Sequence, residues 1–277
     1  MYRVSKVLNN NGVIAIDMEE NQEYVILGKG VGFGKKVSQR FDKPAECTLY
    51  RLEQETERGS AKELVKGIEP EYLEIADEIL TEAQKVFGDS VDRGILFPLA
   101  DHISFAVARI RRNEQISNPL TEDIKVLFYS EFKVAETLKA ILKERFQIEI
   151  DDHEVGYVAL HIHSAIGDEK VSVAMQTARA VRECIDMIEK ATCKPIDVLS
   201  LSYNRLMNHM KYMVARASTG EKLNLDMNEY MLDQYPQAYE IAADICKNLE
   251  GCIGHKLDET EIGYLAMHIQ RVYKDAV

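Results

Sequence analysis

Glu154-Val155-Gly156-Tyr157-Val158-Ala159-Leu160-His161-Ile162 returns as Glu261-Ile262-Gly263-Tyr264-Leu265-Ala266-Met267-His268-Ile269. Six of the nine positions are identical, and the other three exchange one aliphatic residue for another or Leu for Met. The offset is 107 residues, and it also lays His102 on His209 and Val107-Ala108-Arg109 on Val214-Ala215-Arg216 without a gap. His102 to His161 and His209 to His268 are therefore both 59 residues apart. A block of this length repeated in register predicts two tandem helical domains of about 107 residues each.

The flanking pattern agrees. Apolar residues recur with a period of 3.6 over segments 71–87, 92–112, 121–146 and 152–165, then over 172–191, 197–217, 227–249 and 258–273. Asp151-Asp152 and Asp258-Glu259 supply helix start signals, and Gly167-Asp168-Glu169-Lys170 reads as a linker. The first 55 or so residues differ in kind. Strands are expected at Tyr2–Leu8, Val13–Asp17, Glu23–Leu27 and Cys47–Leu52, with a strong turn at Asn9-Asn10-Asn11-Gly12. The glycine-rich stretch Gly28-Lys29-Gly30-Val31-Gly32-Phe33-Gly34-Lys35-Lys36 follows the third strand. So small a sheet has little core of its own and is expected to dimerise or to lean on a neighbour. The fold class is thus α+β and multidomain, a small antiparallel β domain followed by two all-α helical bundles.

Composition narrows the classes. A chain of 277 residues, 46% hydrophobic and 29% charged, suits two or three globular domains. No apolar run approaches the roughly 18 residues needed to span a bilayer. The N-terminus lacks the apolar core of a signal peptide, so export is not expected and the protein reads as cytoplasmic. The five cysteines include no CxxC pair and read as reduced thiols, neither a disulfide frame nor a zinc site. The net charge of −12 opposes generic nucleic-acid binding. Its distribution is uneven. Residues 1–50 carry seven cations and six anions, whereas residues 51–277 carry 27 and 40. Five cations fall within residues 29–43 against the single Asp42.

Four of the seven histidines lie on the repeat. Two readings stay open for them: core imidazoles copied by duplication, or pairs of nucleophilic imidazoles that titrate near neutrality. Tyr157 and Tyr264 each precede a repeated histidine by four residues and share its helix face. A metal is not expected. His161 and His163 are two residues apart on a helix and point to different faces, Gln270 replaces the second in the other repeat, and no HExxH or Cys/His spacing occurs. Nor is a nucleophilic enzyme, since GxSxG and Walker A patterns are absent. The glycine stretch and Asn tip are also open to two readings. They are turn chemistry alone, or they are a surface where Lys29, Lys35 and Lys36 meet phosphates, Phe33 stacks on a base, and Asn amides read RNA base edges or 2′-hydroxyls.

The Asn-Asn-Asn hairpin, the GKGVGFGKK loop and two tandem helical repeats with two histidines each resemble the BglG/SacY family of transcriptional antiterminators. The likeness covers essentially the whole chain, and the loop is most similar to those of glucose- and sucrose-type members. The resemblance implies a co-antiterminator RNA-binding domain over 1–58 and two phosphotransferase-system regulation domains over 65–169 and 172–277. Such a protein is no enzyme and needs no cofactor. It works as a homodimer, clasps a bulged hairpin in nascent leader RNA and so prevents the overlapping terminator from forming. Carried over by motif, RNA contacts fall on Lys6, Asn11, Gly28, Lys29 and Phe33, with Asn9 and Asn10 in support. Phosphorylation by the phosphocarrier protein HPr and a sugar-specific enzyme II permease falls on His102, His161, His209 and His268. The aspartate common before the first histidine is present as Asp101 but replaced by Asn208 in the second domain. His153, His163 and His255 lie outside the motifs.

Arg109 and Arg216 each follow the first histidine of their repeat by seven residues, about 10 Å along the same helix face. They are expected either in an ordinary structural ion pair or opposite a histidine on a facing helix or subunit. The acidic excess beyond residue 50 predicts that RNA contacts stay within the first domain. Two rivals are weighed: a DNA-binding regulator with the same regulation domains, for which residues 1–60 offer no helix-turn-helix, and a helical metalloenzyme using His102, His161 and His163.

Overall fold

Five strands use up the first fifty or so residues, and a short ribbon and then helices follow, in the computed structural model, which describes residues 1–52, 55–56, 59–167, 170–197 and 200–275. β1 (Tyr2–Asn9) and β2 (Gly12–Asp17) form a hairpin closed by Asn10-Asn11, with Asn9 paired to Gly12. β3 (Glu23–Leu27) pairs with β2, β4 (Arg40–Phe41) with β1, and β5 (Thr48–Arg51) with β3, every pair antiparallel, in the order β4-β1-β2-β3-β5. β5 is the expected returning strand. β4 carried no pattern because two residues cannot alternate, and it is held by the Tyr2 and Phe41 rings, 5.9 Å apart. β6 (Glu55–Thr56) and β7 (Gly59–Ser60) make a short ribbon before the helices.

β2 is central and buried on both faces. Val13, Ala15, Ile26, Val31 and Tyr2 form a core on one side. Ile14, Val25 and Tyr50 are buried too, and the Tyr50 ring meets Phe97 edge-on at 6.3 Å. The small sheet therefore leans on helices, as its size required.

The helices are α1 (Ala61–Gly67), α2 (Pro70–Phe87), α3 (Leu96–Arg111), α4 (Thr121–Leu127), α5 (Tyr129–Ala135), α6 (Thr137–Phe146), α7 (Asp152–Ile166), α8 (Val171–Thr192), α9 (Leu201–Thr219), α10 (Asn228–Gln234), α11 (Pro236–Ile253) and α12 (Thr260–Asp275). α2 starts with Pro70, whose missing N–H costs nothing there, and buries Tyr72, Leu73, Ile75, Ala76, Ile79, Leu80 and Ala83 along one stripe. Asp151 caps α7 by accepting from the His153 and Glu154 amides, and Ser200 caps α9 by accepting from that of Tyr203.

The chain divides into two compact units, Met1–Asn118 with Ser130–Val171, and Pro119–Tyr129 with Ser172–Val277. The division crosses the sequence repeat. α4 belongs to the second unit, where the Tyr203 hydroxyl donates to Asp123 at 3.2 Å.

Three helical expectations need correction. Segment 121–146 is three helices, because Phe128 leaves helical geometry (φ −118°, ψ 46°) with its ring buried, and α5 ends at Ala135 before α6 begins. Segment 227–249 is two, because Pro236 lacks an N–H and disfavours the helical conformation at Tyr235 (φ −142°, ψ 58°). Segment 92–112 opens with a 3₁₀ turn at Arg93–Ile95 before α3. In the expected linker Gly167–Lys170, Asp168 and Glu169 lie outside the described residues, as do residues 198 and 199 at the start of the expected helix 197–217.

Candidate functional site

At one end of the sheet the Asn tip and the glycine loop are a single structure. The register sets Gly12 beside Leu27, so the chain leaving β3 passes directly over the β1–β2 turn. The Gly28 and Gly32 amides donate to the Asn11 and Asn10 carbonyls, both at 2.9 Å, and the Gly30 amide donates to Asn11 Oδ1 at 3.0 Å. Asn9 Oδ1 in turn accepts from the Asn11 amide at 2.9 Å.

The glycines serve two different purposes. A Cβ on Gly32 would sit 2.0 Å from the Asn9 carbonyl oxygen, and one on Gly28 2.5 Å from that of Glu46, so both are required by close packing. Gly30 and Gly34 have φ of +72° and +67°. The amides of Gly28, Gly30 and Gly32 are thus bonded within the protein.

What the end of the sheet presents outward is side chains. Lys6, Asn10, Lys29 and Lys36 are exposed, and the Phe33 ring is 75% exposed. Lys35 is partly turned inward, with its ammonium 4.4 Å from the Phe41 ring centre. Asn9 and Asn11 are half-buried, and their side-chain amides donate to the Glu74 carboxylate of α2 at 2.6 and 3.1 Å. Among the expected contacts the fold thus brings Asn9, Asn10, Asn11 and Gly28 into direct contact, with Lys29 and Phe33 on the same loop. Lys6 stands on β1 three residues before the tip.

The repeated histidines also meet in pairs. In the first unit the His102 and His161 rings, from α3 and α7, are 5.4 Å apart and tilted by 46°. Both are buried, at 8% and 5% exposure, and Tyr157 lies 5.8 Å from His102. In the second unit His209 and His268, from α9 and α12, stack at 4.8 Å and 28°, with Tyr264 parallel to His209 at 6.2 Å.

Each pair has a carboxylate and a guanidinium that the sequence did not assign to it. Glu154 faces His102 Nε2 at 3.5 Å and accepts from Arg109 at 2.7 Å. Glu261 faces His209 Nε2 at 3.7 Å and accepts from Arg216 twice, at 2.6 and 2.9 Å. The two arginines are therefore in ion pairs, and the same glutamate places each beside the histidine pair. Both glutamates open the repeated nonapeptide. That identity is visible in the sequence, but the identity alone names no partner.

The electrostatics favour uncharged imidazole in the second unit. Burial, with His268 and Arg216 nearby, pushes His209 down to about 3. Burial, with Arg271 and Arg205 nearby, pushes His268 down to about 4. The bond to Glu261 holds Arg216 above its ordinary value. Among the described residues, His102 Nε2, His209 Nε2 and His268 Nδ1 have no hydrogen-bond partner. A neutral imidazole with an unengaged nitrogen is a nucleophile, and the second pair supplies one.

The remaining histidines are elsewhere. His163 Nδ1 pairs with Glu131 at 2.9 Å, His153 Nδ1 accepts from the Asn118 amide at 3.3 Å, and His255 is exposed. Among the described residues no cluster of three or more His, Cys, Asp or Glu could hold a metal ion, and no helix is long and apolar enough to cross a membrane.

The chain resembles known proteins along its length. The family model described as CAT RNA binding domain matches residues 2–59, and the one described as PRD domain matches residues 77–165 and 182–272. The GlcA/glcB genes antiterminator of Staphylococcus carnosus is 30% identical, over 97% of this chain and 94% of its own. Transcription antiterminator LicT of Bacillus subtilis is 28% identical, over 99% of this chain and all of its own. Among solved structures, the crystal structure of GlcT CAT-PRDI aligns with a TM-score of 0.51 at 29% identity, covering 60% of this chain and 98% of that one.

Proposed function

The chain belongs to the family of transcription antiterminators that join a CAT RNA-binding domain to two PRD domains, and from that premise we propose that its Asn tip and glycine loop clasp a bulged hairpin of nascent leader RNA. Asn9, Asn10 and Asn11 supply amide donors and acceptors for base edges and 2′-hydroxyls, Phe33 a stacking face, and Lys6 and Lys29 phosphate contacts. Gly28 contributes shape, letting the loop cross the hairpin turn. Binding holds the RNA in the form that excludes the terminator. The observation that carries this reading is the bonding of loop to tip through Gly28, Gly30 and Gly32. It fixes Asn11 and the loop of Phe33 and Lys29 as one surface, so a change at either end disturbs the whole.

The control is phosphorylation of His102, His161, His209 and His268, within regulation domains bounded at 65–169 and 172–277 after an RNA-binding domain at 1–58. Transfer from a phosphorylated carrier breaks the carrier's bond to phosphorus, releases the carrier unphosphorylated, forms a P–N bond on an imidazole and places close to two negative charges beside Glu154 or Glu261. A phosphate competes for Arg109 or Arg216 through the same planar fork that now holds the glutamate. The displaced carboxylate is then buried beside a like charge, which drives the helices apart. A local exchange of arginine partners thus becomes a change in packing, and through the homodimer a change in RNA binding. The donors fitting this chemistry are HPr and a sugar-specific enzyme II permease, in the cytoplasm where leader RNA is made.

The test is binding of the full chain to a bulged leader hairpin, a perfectly paired RNA and a DNA duplex of equal length, at two salt concentrations. The bulged hairpin should bind at least tenfold more tightly than either competitor, and Asn11→Ala and Phe33→Ala should each weaken it by about tenfold, the worth of one good base contact or stack. Equal binding to all three would remove the RNA reading. Selective binding to the DNA duplex would favour a DNA-binding regulator.

A further inference from the structure

Glu74 of α2 occupies the two asparagine amides that the RNA reading needs. Asn9 Nδ2 donates to its Oε1 at 2.6 Å and Asn11 Nδ2 to its Oε2 at 3.1 Å, so one carboxylate spans both side chains. A carboxylate presents two acceptor oxygens in a plane, the geometry that a phosphate or the acceptor edge of a base offers to the same donors. Glu74 is itself positioned. Its side chain is 18% exposed, Arg145 lies 3.9 Å away, and Arg145 also bonds Glu78 one turn further along α2.

The sheet is held against α2 at a second place. The Tyr50 hydroxyl of β5 donates to Asp77, and Arg93 bonds both, reaching Asp77 at 2.7 Å and the Tyr50 oxygen at 2.8 Å. The two anchors come from one helix, with Glu74 and Asp77 three residues apart and therefore on one face.

We propose that Glu74 is an internal stand-in for RNA, so that in this conformation the regulation domain's first long helix masks the asparagine tip and leader RNA must displace it. The proposal rests on the reading that Asn9 and Asn11 contact RNA. It adds a competitor that is part of the same chain, and hence a route by which the helical domain governs access to the tip. Any event that moves α2 relative to the sheet frees two donors together. Lys29 and Phe33 remain exposed in the masked state, so RNA can make a first encounter with the loop before the tip opens.

The experiment measures affinity of the full chain for a labelled bulged leader hairpin at fixed salt, in wild type and in Glu74→Ala, Glu78→Ala, Asn11→Ala and the Glu74→Ala/Asn11→Ala double variant. Glu74→Ala should tighten binding by about tenfold, roughly the worth of one hydrogen bond to a charged group. Glu78→Ala removes the same charge from the next turn without touching the asparagines and should change affinity by less than about twofold. In the Asn11→Ala background the gain from Glu74→Ala should shrink severalfold, because the two residues act through one contact.

Equal gains from Glu74→Ala and Glu78→Ala would reduce the effect to bulk charge and overturn the proposal. So would no gain from Glu74→Ala, or a gain that persists undiminished without Asn11. If Asn11→Ala leaves wild-type binding unchanged, the RNA reading of the tip fails and the mask falls with it. If Asn11→Ala weakens binding while Glu74→Ala does nothing, only the mask is wrong. Melting curves establish that each variant folds, and Glu74→Gln, which removes the charge and keeps the side-chain length, gives the same comparison should Glu74→Ala not fold.

Discussion

The two histidine sites are copies made of the same five residues, two His, one Tyr, one Glu and one Arg, and they have not settled into the same geometry. In the first, the rings are tilted by 46° at 5.4 Å and Arg109 makes one bond to Glu154, leaving Glu154 Oε2 without a hydrogen bond beside His102. In the second, the rings stack at 28° and 4.8 Å, and Arg216 engages both oxygens of Glu261. A carboxylate held by both oxygens has little left to offer its histidine. Glu154 Oε2 is 3.5 Å from His102 Nε2, against 3.7 Å from Glu261 Oε2 to His209 Nε2. Duplication preserved the chemistry, while the number of arginine bonds determines how firmly the carboxylate is withheld from the imidazole.

The largest effect follows from removing the arginine. Arg216→Ala leaves Glu261, 1% exposed, as a buried charge with no guanidinium, and should destabilise the second unit by about 3–5 kcal/mol. Arg109→Ala removes a single bond from an arginine whose side chain is 25% exposed, and should cost about 2 kcal/mol. Urea unfolding of the full-length variants measures both. Equal costs would mean that the one-bond and two-bond arrangements are energetically the same and that the contrast is one of shape alone.

A smaller effect comes from pH. His209 and His268, pushed down to about 3 and about 4 in the folded chain, titrate near the ordinary value of about 6.5 once unfolded. Below that value the unfolded state binds protons that the folded state refuses, so stability is lost as pH falls from about 6.5 toward about 4. By pH 5 each histidine contributes a loss of up to about 2 kcal/mol. The dependence should be weaker in His268→Gln, measured as melting temperature against pH. Nitrogen NMR should find both rings of the second pair still neutral at pH 5. Titration of either ring near pH 6 would remove the claim that burial holds this pair neutral.

How much of this was open to sequence reading depended on whether a feature repeats. The nonapeptide and its offset placed all four histidines, because a duplicated helix must keep both its apolar period and its packed polar groups. The strands of the hairpin were legible from Asn9–Gly12 and their alternation. Glu154 and Glu261 were conspicuous as identities but not as partners, since nothing in spacing says that α3 and α7 pack with Glu154 opposite both His102 and Arg109. Helix breaks at Phe128 and between Ala135 and Thr137 were hidden because no proline or glycine marks them and burial overrides propensity. Pro236 splits the periodic run 227–249, and periodicity alone does not register it. Glu74 was beyond reach altogether, as a contact 63 residues from Asn11 depends on how the sheet docks.

The smallest effect bears on the residue before the first histidine, where the two copies differ in charge. Asp101 precedes His102, whereas Asn208 precedes His209. Asn208→Asp restores the acid of the first copy, yet Asn208 is exposed, so water and salt screen it from the buried ring. Unit charges about 7 Å apart in bulk water interact by about 0.6 kcal/mol, which corresponds to somewhat under half a pKa unit. NMR titration of His209 in Asn208→Asp should therefore show a rise of less than about half a unit. A rise of two units would mean that the acid couples to the ring through the protein interior. The difference between the copies would then lie in this residue, not in whether arginine holds one oxygen of the glutamate or two.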